Sequence, residues 1–146
     1  MLKLAILYSS LLFAQIQKPP QQFLELKHQL EEYGFEVIIA LPPKRGAYGS
    51  LKVANRKIWI NPVVFDLQIA TPTIIHESVH AAQLCAGKGK MKALGLSIQP
   101  IPAARRLFLR YTNTHRKDLE REAYAVQTQS NNFELATNIL KKHCKK

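Results

Sequence analysis

The stretch that decides the reading is PTIIHESVHAAQLCA, residues 72–86. Its apolar residues Ile74, Ile75, Val79 and Ala82 supply the buried contacts of a helix. Pro72 and Thr73 suit a helix start, with Thr71 or Thr73 as the cap, and Gly87 suits a stop. Inside it stands His76-Glu77-Ser78-Val79-His80, the pattern His-Glu-x-x-His. Residues four apart share one helix face, so His76 and His80 can direct two imidazole nitrogens at one point. Two neutral imidazoles supply half of a tetrahedral zinc shell. Glu77, one step round the helix, can reach a water at such a cation without being a ligand, which is the position of a general base.

Outward from this helix the chain alternates short elements. Before it, residues 63–70 read as a short helix. Residues 51–53 and 57–60 read as a hairpin joined by Ala54, Asn55 and Arg56, with Ile58 and Ile60 facing one way and Lys57 and Trp59 the other. Residues 44–50 form a loop and 35–41 a strand ended by Pro42 and Pro43. Residues 21–33 form a helix with Phe23, Leu24, Leu26, Leu30 and Tyr33 at helical spacing, stopped by Gly34. Residues 4–16 read as a buried helix ended by Pro19 and Pro20. After the motif, 88–92 is a basic, glycine-broken loop and 95–102 is irregular. A helix follows over 103–111, with Leu107 and Leu109 among its apolar contacts. Residues 112–114 turn, Asp118 opens a helix through 119–127, and a last helix runs over 132–142. The fold class is α+β: a small antiparallel sheet or hairpin packed against the motif helix and a later glutamate-bearing helix. Residues 1–146 make one domain, with 141–146 a basic tail.

Of the 146 residues, 21 are Lys or Arg and 10 are Asp or Glu, giving a net charge of +11. That balance favours acidic partners: nucleic acid, an anionic membrane surface or acidic polypeptide. No apolar run is long enough for a membrane span. Residues 1–14 have the length of a signal core, but Ser9 and Ser10 interrupt it and Leu12 is too large for a small-x-small cleavage site. A packed first element and a cytoplasmic chain are expected; a secreted chain is the alternative if 1–14 is a signal segment. Two cysteines are too few for a disulfide framework or a four-cysteine zinc site. Cys85 reads as a buried thiol and Cys144 as an exposed one in the tail.

Catalytic zinc sites usually have three protein ligands. A third histidine six residues after His80 is ruled out by Ala86, and the companion glycine position holds Gln83. His115 lies in a turn beside Arg116 and Lys117. The better candidates are Glu120 and Glu122. Leu119, Glu122, Ala123 and Val126 form one inward stripe, and a carboxylate aimed into a core needs a partner such as a metal. Glu120 falls towards Arg121, Tyr124 and Gln127 and reads as a solvated or salt-bridged acid. The expected metal ligands are therefore His76, His80 and Glu122.

His-Glu-x-x-His followed by the helical Glu120-Arg121-Glu122-Ala123 resembles the gluzincin class of zinc peptidases, and in size its minimal intracellular members. The resemblance covers residues 51–126 loosely and the two motifs sharply. It implies a zincin-like fold and peptide-bond hydrolysis. It also implies zinc bound by His76, His80 and Glu122, Glu77 as the base, and a sheet strand that borders the cleft and pairs with extended substrate, here residues 57–60. Two departures stand out. The position four after Glu122, an Asp in thermolysin, is Val126, and no large C-terminal domain supplies a transition-state histidine; Tyr111, His115 and Tyr124 are the local substitutes.

Between Ser78 and Lys117 the chain has eight Lys or Arg and no Asp or Glu, so an acidic polypeptide substrate is one expectation and a merely solvated basic face the other. Two rival functions remain. One is a basic nucleic-acid-binding protein, with Arg105, Arg106, Arg110 and the tail lysines as its footprint. The other is a zinc or peptide-binding protein that does not cut.

Overall fold

The computed structural model describes residues 17–145. The expected elements at 4–16 and 1–14 lie outside that range. The described chain is α+β. Its helices are α1 (Gln21–Glu32), α2 (Val63–Asp66), α3 (Ala70–Ala86), α4 (Arg105–Leu109), α5 (Thr114–Gln127) and α6 (Asn132–His143); its strands are β1 (Glu36–Ile39), β2 (Gly49–Lys52) and β3 (Lys57–Ile60).

The motif helix α3 is the centre of the packing. Ile74, Ile75, Val79, Ala81 and Ala82 are fully buried, and they join Phe23, Leu26 and Leu30 of α1, Ile58 and Ile60 of β3, and Leu140 of α6 in one core. Burying a large aliphatic side chain is worth about 1.5–3 kcal/mol, so this shared core fixes α3 from several sides. The helix begins two residues before the expected start, with no side-chain cap; the Thr73 hydroxyl instead donates to Ile69 O at 2.7 Å. It ends at Gly87 for a steric reason. A Cβ there would lie 1.6 Å from Lys90 O, where the chain doubles back.

The sheet corrects the expected antiparallel arrangement. Its order is β1-β3-β2, with β2 antiparallel to β3 but β1 parallel to it. The β2–β3 pair is the expected hairpin, closed by a 3-10 turn over Val53–Asn55 and Arg56 at φ 55°. Residues 40–48, with Pro42, Pro43 and Gly46, are long enough to carry the chain past β3 and return it along the far edge. That crossing makes β1 parallel. On β3, Ile58 and Ile60 face the core and Lys57 and Trp59 do not, as the alternation requires.

Two further expectations give way. Helix α4 is only one turn after the 3-10 segment Pro102–Ala104; it buries Ala104 and Phe108 at i, i+4 spacing and leaves Leu107 and Leu109 exposed. Cys144 is buried, not exposed, and forms a disulfide with Cys85 at the C-terminal end of α3. Lys141, Lys142 and His143, read as the start of a basic tail, form the last turn of α6, where cations suit the helix dipole.

Candidate metal centre

The seam between α3 and α5 holds the site. His76 and His80 sit one turn apart on α3, with their rings edge-to-face at 4.8 Å. Their Nε2 atoms face each other at 3.1 Å. Opposite them is the carboxylate of Glu120 from α5: its Oε2 is 3.2 Å from His76 Nε2 and 3.6 Å from His80 Nε2. One ligand atom from each of the three residues lies within 4.8 Å of the others, the only such group of three among the described residues. Both remaining imidazole nitrogens are occupied. His76 Nδ1 meets Gln127 Oε1 at 2.9 Å and His80 Nδ1 meets Gln83 Oε1 at 2.8 Å. Engaging Nδ1 turns each Nε2 towards the shared point, as in histidines that bind metals.

Glu120, and not the expected Glu122, is the carboxylate that faces the two histidines. Glu122 is fully buried, as its stripe requires, but its oxygens accept from Leu94 N–H at 2.7 Å, Leu96 N–H at 2.9 Å and Gln83 Nε2 at 3.3 Å. It spends its charge on the loop after α3. Positions 120 and 122 point to opposite sides of a helix, so only one can face the histidines. The face read as solvated is the site face: Glu120, Tyr124 and Gln127 line up on it at i, i+4, i+7. The Tyr124 ring packs edge-on against His76 at 4.6 Å. The signal that marked this face was its polar residues on a helix with small Ala123 and Ala125 behind them.

The electrostatics are those of a compact ionic cluster. Burial works against charge on His80, but hydrogen bonding to Glu120 and the charges of Glu77 and Glu120 outweigh it and raise its pKa to about 9. Burial likewise opposes the Glu120 carboxylate, yet the two histidines hold it well below the usual carboxylate range. Glu77 goes the other way. Burial raises its pKa, and the nearby histidines only partly offset this. Its Oε2 is buried with no hydrogen-bond partner among the described residues. The other oxygen lies against the start of β2: a Cβ at Gly49 would be 2.5 Å from Glu77 Oε1. Gly49 is therefore what lets the edge strand close over the carboxylate, a role that only the packing reveals.

Other expected positions fall outside the cluster. His115 Nε2 is 3.0 Å from Met91 O. Strand β3, expected to border the cleft, is paired on both edges; β2 is the edge strand beside α3. Arg116 stands at the rim, its guanidinium 4.0 Å from Glu120 Oε1 and 4.9 Å from the centre of the Tyr111 ring, which Arg110 also flanks at 5.2 Å.

Comparisons with protein-family models, with curated proteins and with solved structures found no match for this chain. The functional reading therefore rests on the geometry.

Proposed function

We propose that this chain is a zinc-dependent peptide hydrolase in which His76, His80 and Glu120 hold the cation and Glu77 is the general base. The observation that carries the proposal is the convergence of two imidazole Nε2 atoms and one carboxylate oxygen beside a buried Glu77 oxygen that has no partner among the described residues. The donor set suits zinc: two nitrogens and one oxygen from protein, which would leave the fourth position of a tetrahedral shell to water or substrate. The two Nε2 atoms meet at 3.1 Å, a contact that a proton on one of them satisfies and that a cation would take over by displacing that proton.

A bound zinc supplies the Lewis acid that polarises a carbonyl and makes water a nucleophile near neutral pH. The chain's own groups do the rest. Glu77, with its pKa raised by burial, takes a proton from the attacking water and returns it to the departing amine. Gln83 and Gln127 hold the two imidazoles in the ligand orientation. The free edge of β2, whose other side carries no strand among the described residues, offers unpaired backbone groups to an extended polypeptide. Of the three local substitutes for a transition-state donor, Tyr124 is favoured because it touches the cluster. The sheet, motif helix and glutamate helix together support a zincin-like arrangement.

The rim favours acidic substrates. Arg110 and Arg116 bracket Tyr111 beside Glu120, in a stretch without any acid from Ser78 to Lys117. Cleavage of acidic peptides should then weaken with salt more than cleavage of neutral ones. The disulfide supports an oxidising compartment over the cytoplasm. No helix among the described residues is long and apolar enough to cross a membrane.

The test is direct. Purified protein is assayed for bound zinc and for cleavage of a mixed peptide pool, beside Glu77→Gln. Zinc in both, with cleavage only in wild type, supports the proposal. Zinc in both with no cleavage by either supports the non-cutting zinc protein. Metal-independent nucleic-acid binding without peptidase activity supports the basic binding protein, the reading drawn from the net charge of +11.

A further inference from the structure

His80 is joined to a second buried carboxylate through one side chain. Gln83, fully buried on α3, presents its amide oxygen to His80 Nδ1 at 2.8 Å. Its amide nitrogen has two acceptors: Leu119 O at 3.0 Å and Glu122 Oε1 at 3.3 Å. Two hydrogens meet two acceptors, so the amide cannot be turned round without setting its oxygen against a carbonyl and a carboxylate. With the oxygen fixed towards His80, Nδ1 must carry the proton. In neutral His80 the lone pair then lies on Nε2, the atom that faces His76 and Glu120.

Glu122 is itself immobile, because the Leu94 and Leu96 amides hold both its oxygens. His76 lacks an equivalent lock. Its partner Gln127 meets Nδ1 at 2.9 Å, but no hydrogen bond among the described residues fixes the Gln127 amide nitrogen.

We infer that Glu122 and Gln83 are positioning residues: the carboxylate orients and polarises the Gln83 amide, and the amide fixes the His80 tautomer that binds metal. This rests on the metal-centre reading. It gives the buried acid of the inward stripe a part in the site without making it a ligand. Outer partners of this kind commonly alter metal affinity by about 10–100-fold.

The experiment measures zinc affinity by chelator competition for wild type, Gln83→Leu, Glu122→Gln and Gln127→Leu. The zinc-loaded proteins are also examined by proton NMR for a slowly exchanging imidazole N–H. We expect Gln83→Leu to weaken zinc binding about 10–100-fold and to lose one protected imidazole proton. Glu122→Gln should shift that resonance and weaken binding less, and Gln127→Leu should leave that proton in place. If Gln83→Leu unfolds, Glu122→Gln carries the test alone, because a change in its imidazole signal at unchanged folding requires the relay. Wild-type zinc affinity and an unchanged imidazole proton in the folded variants would overturn the inference while leaving the metal centre standing. Failure of the wild type to bind zinc would overturn both.

Discussion

The middle and the C-terminal end of α3 are built from similar residues and finished differently. At the C-terminal end, Gln83 and Glu122 have a hydrogen bond for every role, Cys85 is tied to Cys144, and Gly87 lets the chain fold back. In the middle, Glu77 and His80 are nearly as well buried and His76 partly so, but two imidazole nitrogens face each other and one Glu77 oxygen has no partner among the described residues. Buried polar groups cost stability unless paired. Where a fold satisfies them with its own amides the residue is scaffold. Where it leaves a carboxylate oxygen unpaired among the described residues beside two facing imidazoles, a further group can complete the set. Glu120 and Glu122, two positions apart on α5, fall on opposite sides of that division.

The contrast can be broken from either end. Glu77→Gln should change chemistry and little else: turnover falls by about 10²–10⁴-fold, while the melting temperature and zinc content stay near wild type in calorimetry and metal analysis. At the closed end, removing the disulfide by Cys144→Ser should do the reverse. The bridge spans 59 positions, for which the chain-entropy account gives about 4 kcal/mol of unfolding free energy; denaturant titration reads that loss, with zinc content unchanged. Gly49→Ala tests the strand that closes on the site. Its Cβ displaces the Glu77 carboxylate, and a shift of that kind costs about 10²-fold in turnover with zinc still bound.

The last effect is a pH dependence. In the metal-free protein burial opposes charge on His80, but the hydrogen bond to Glu120 and the charges of Glu77 and Glu120 push its pKa from the ordinary 6.5 up to about 9. Its contribution to stability is therefore complete below the lower value and disappears as pH rises through the higher one. Zinc must displace the same proton, so its affinity should climb by up to tenfold per pH unit between these values and then level off. Parallel melting curves for metal-free and zinc-loaded protein should diverge with rising pH.

Much of the frame was legible from residues alone. The long periodic segments match α1, α3 and α6 within two residues, and the β3 alternation gives the correct inward pair, because in each case local spacing and burial agree; α5 starts five residues before the expected Leu119, capped by Asn113, whose side chain accepts from Arg116 N–H. The His76/His80 pairing followed from helix geometry. The rest depended on contacts distant in sequence. Strand β1 runs parallel to β3 because of where a loop carries the chain. Cys144 reaches Cys85 because α6 lies along α3. Glu122 was correctly read as buried, but its partners are backbone amides of a loop with no pattern of its own. Glu120 reads as a solvated acid because a polar helix face looks the same in sequence whether it meets water or a polar cluster.

The most direct test is zinc retained after desalting by wild type, Glu120→Ala and Glu122→Gln. We expect stoichiometric zinc in wild type and in Glu122→Gln, and little in a folded Glu120→Ala. Stoichiometric zinc in Glu120→Ala, or none in wild type, would contradict the assignment of His76, His80 and Glu120 as one metal centre.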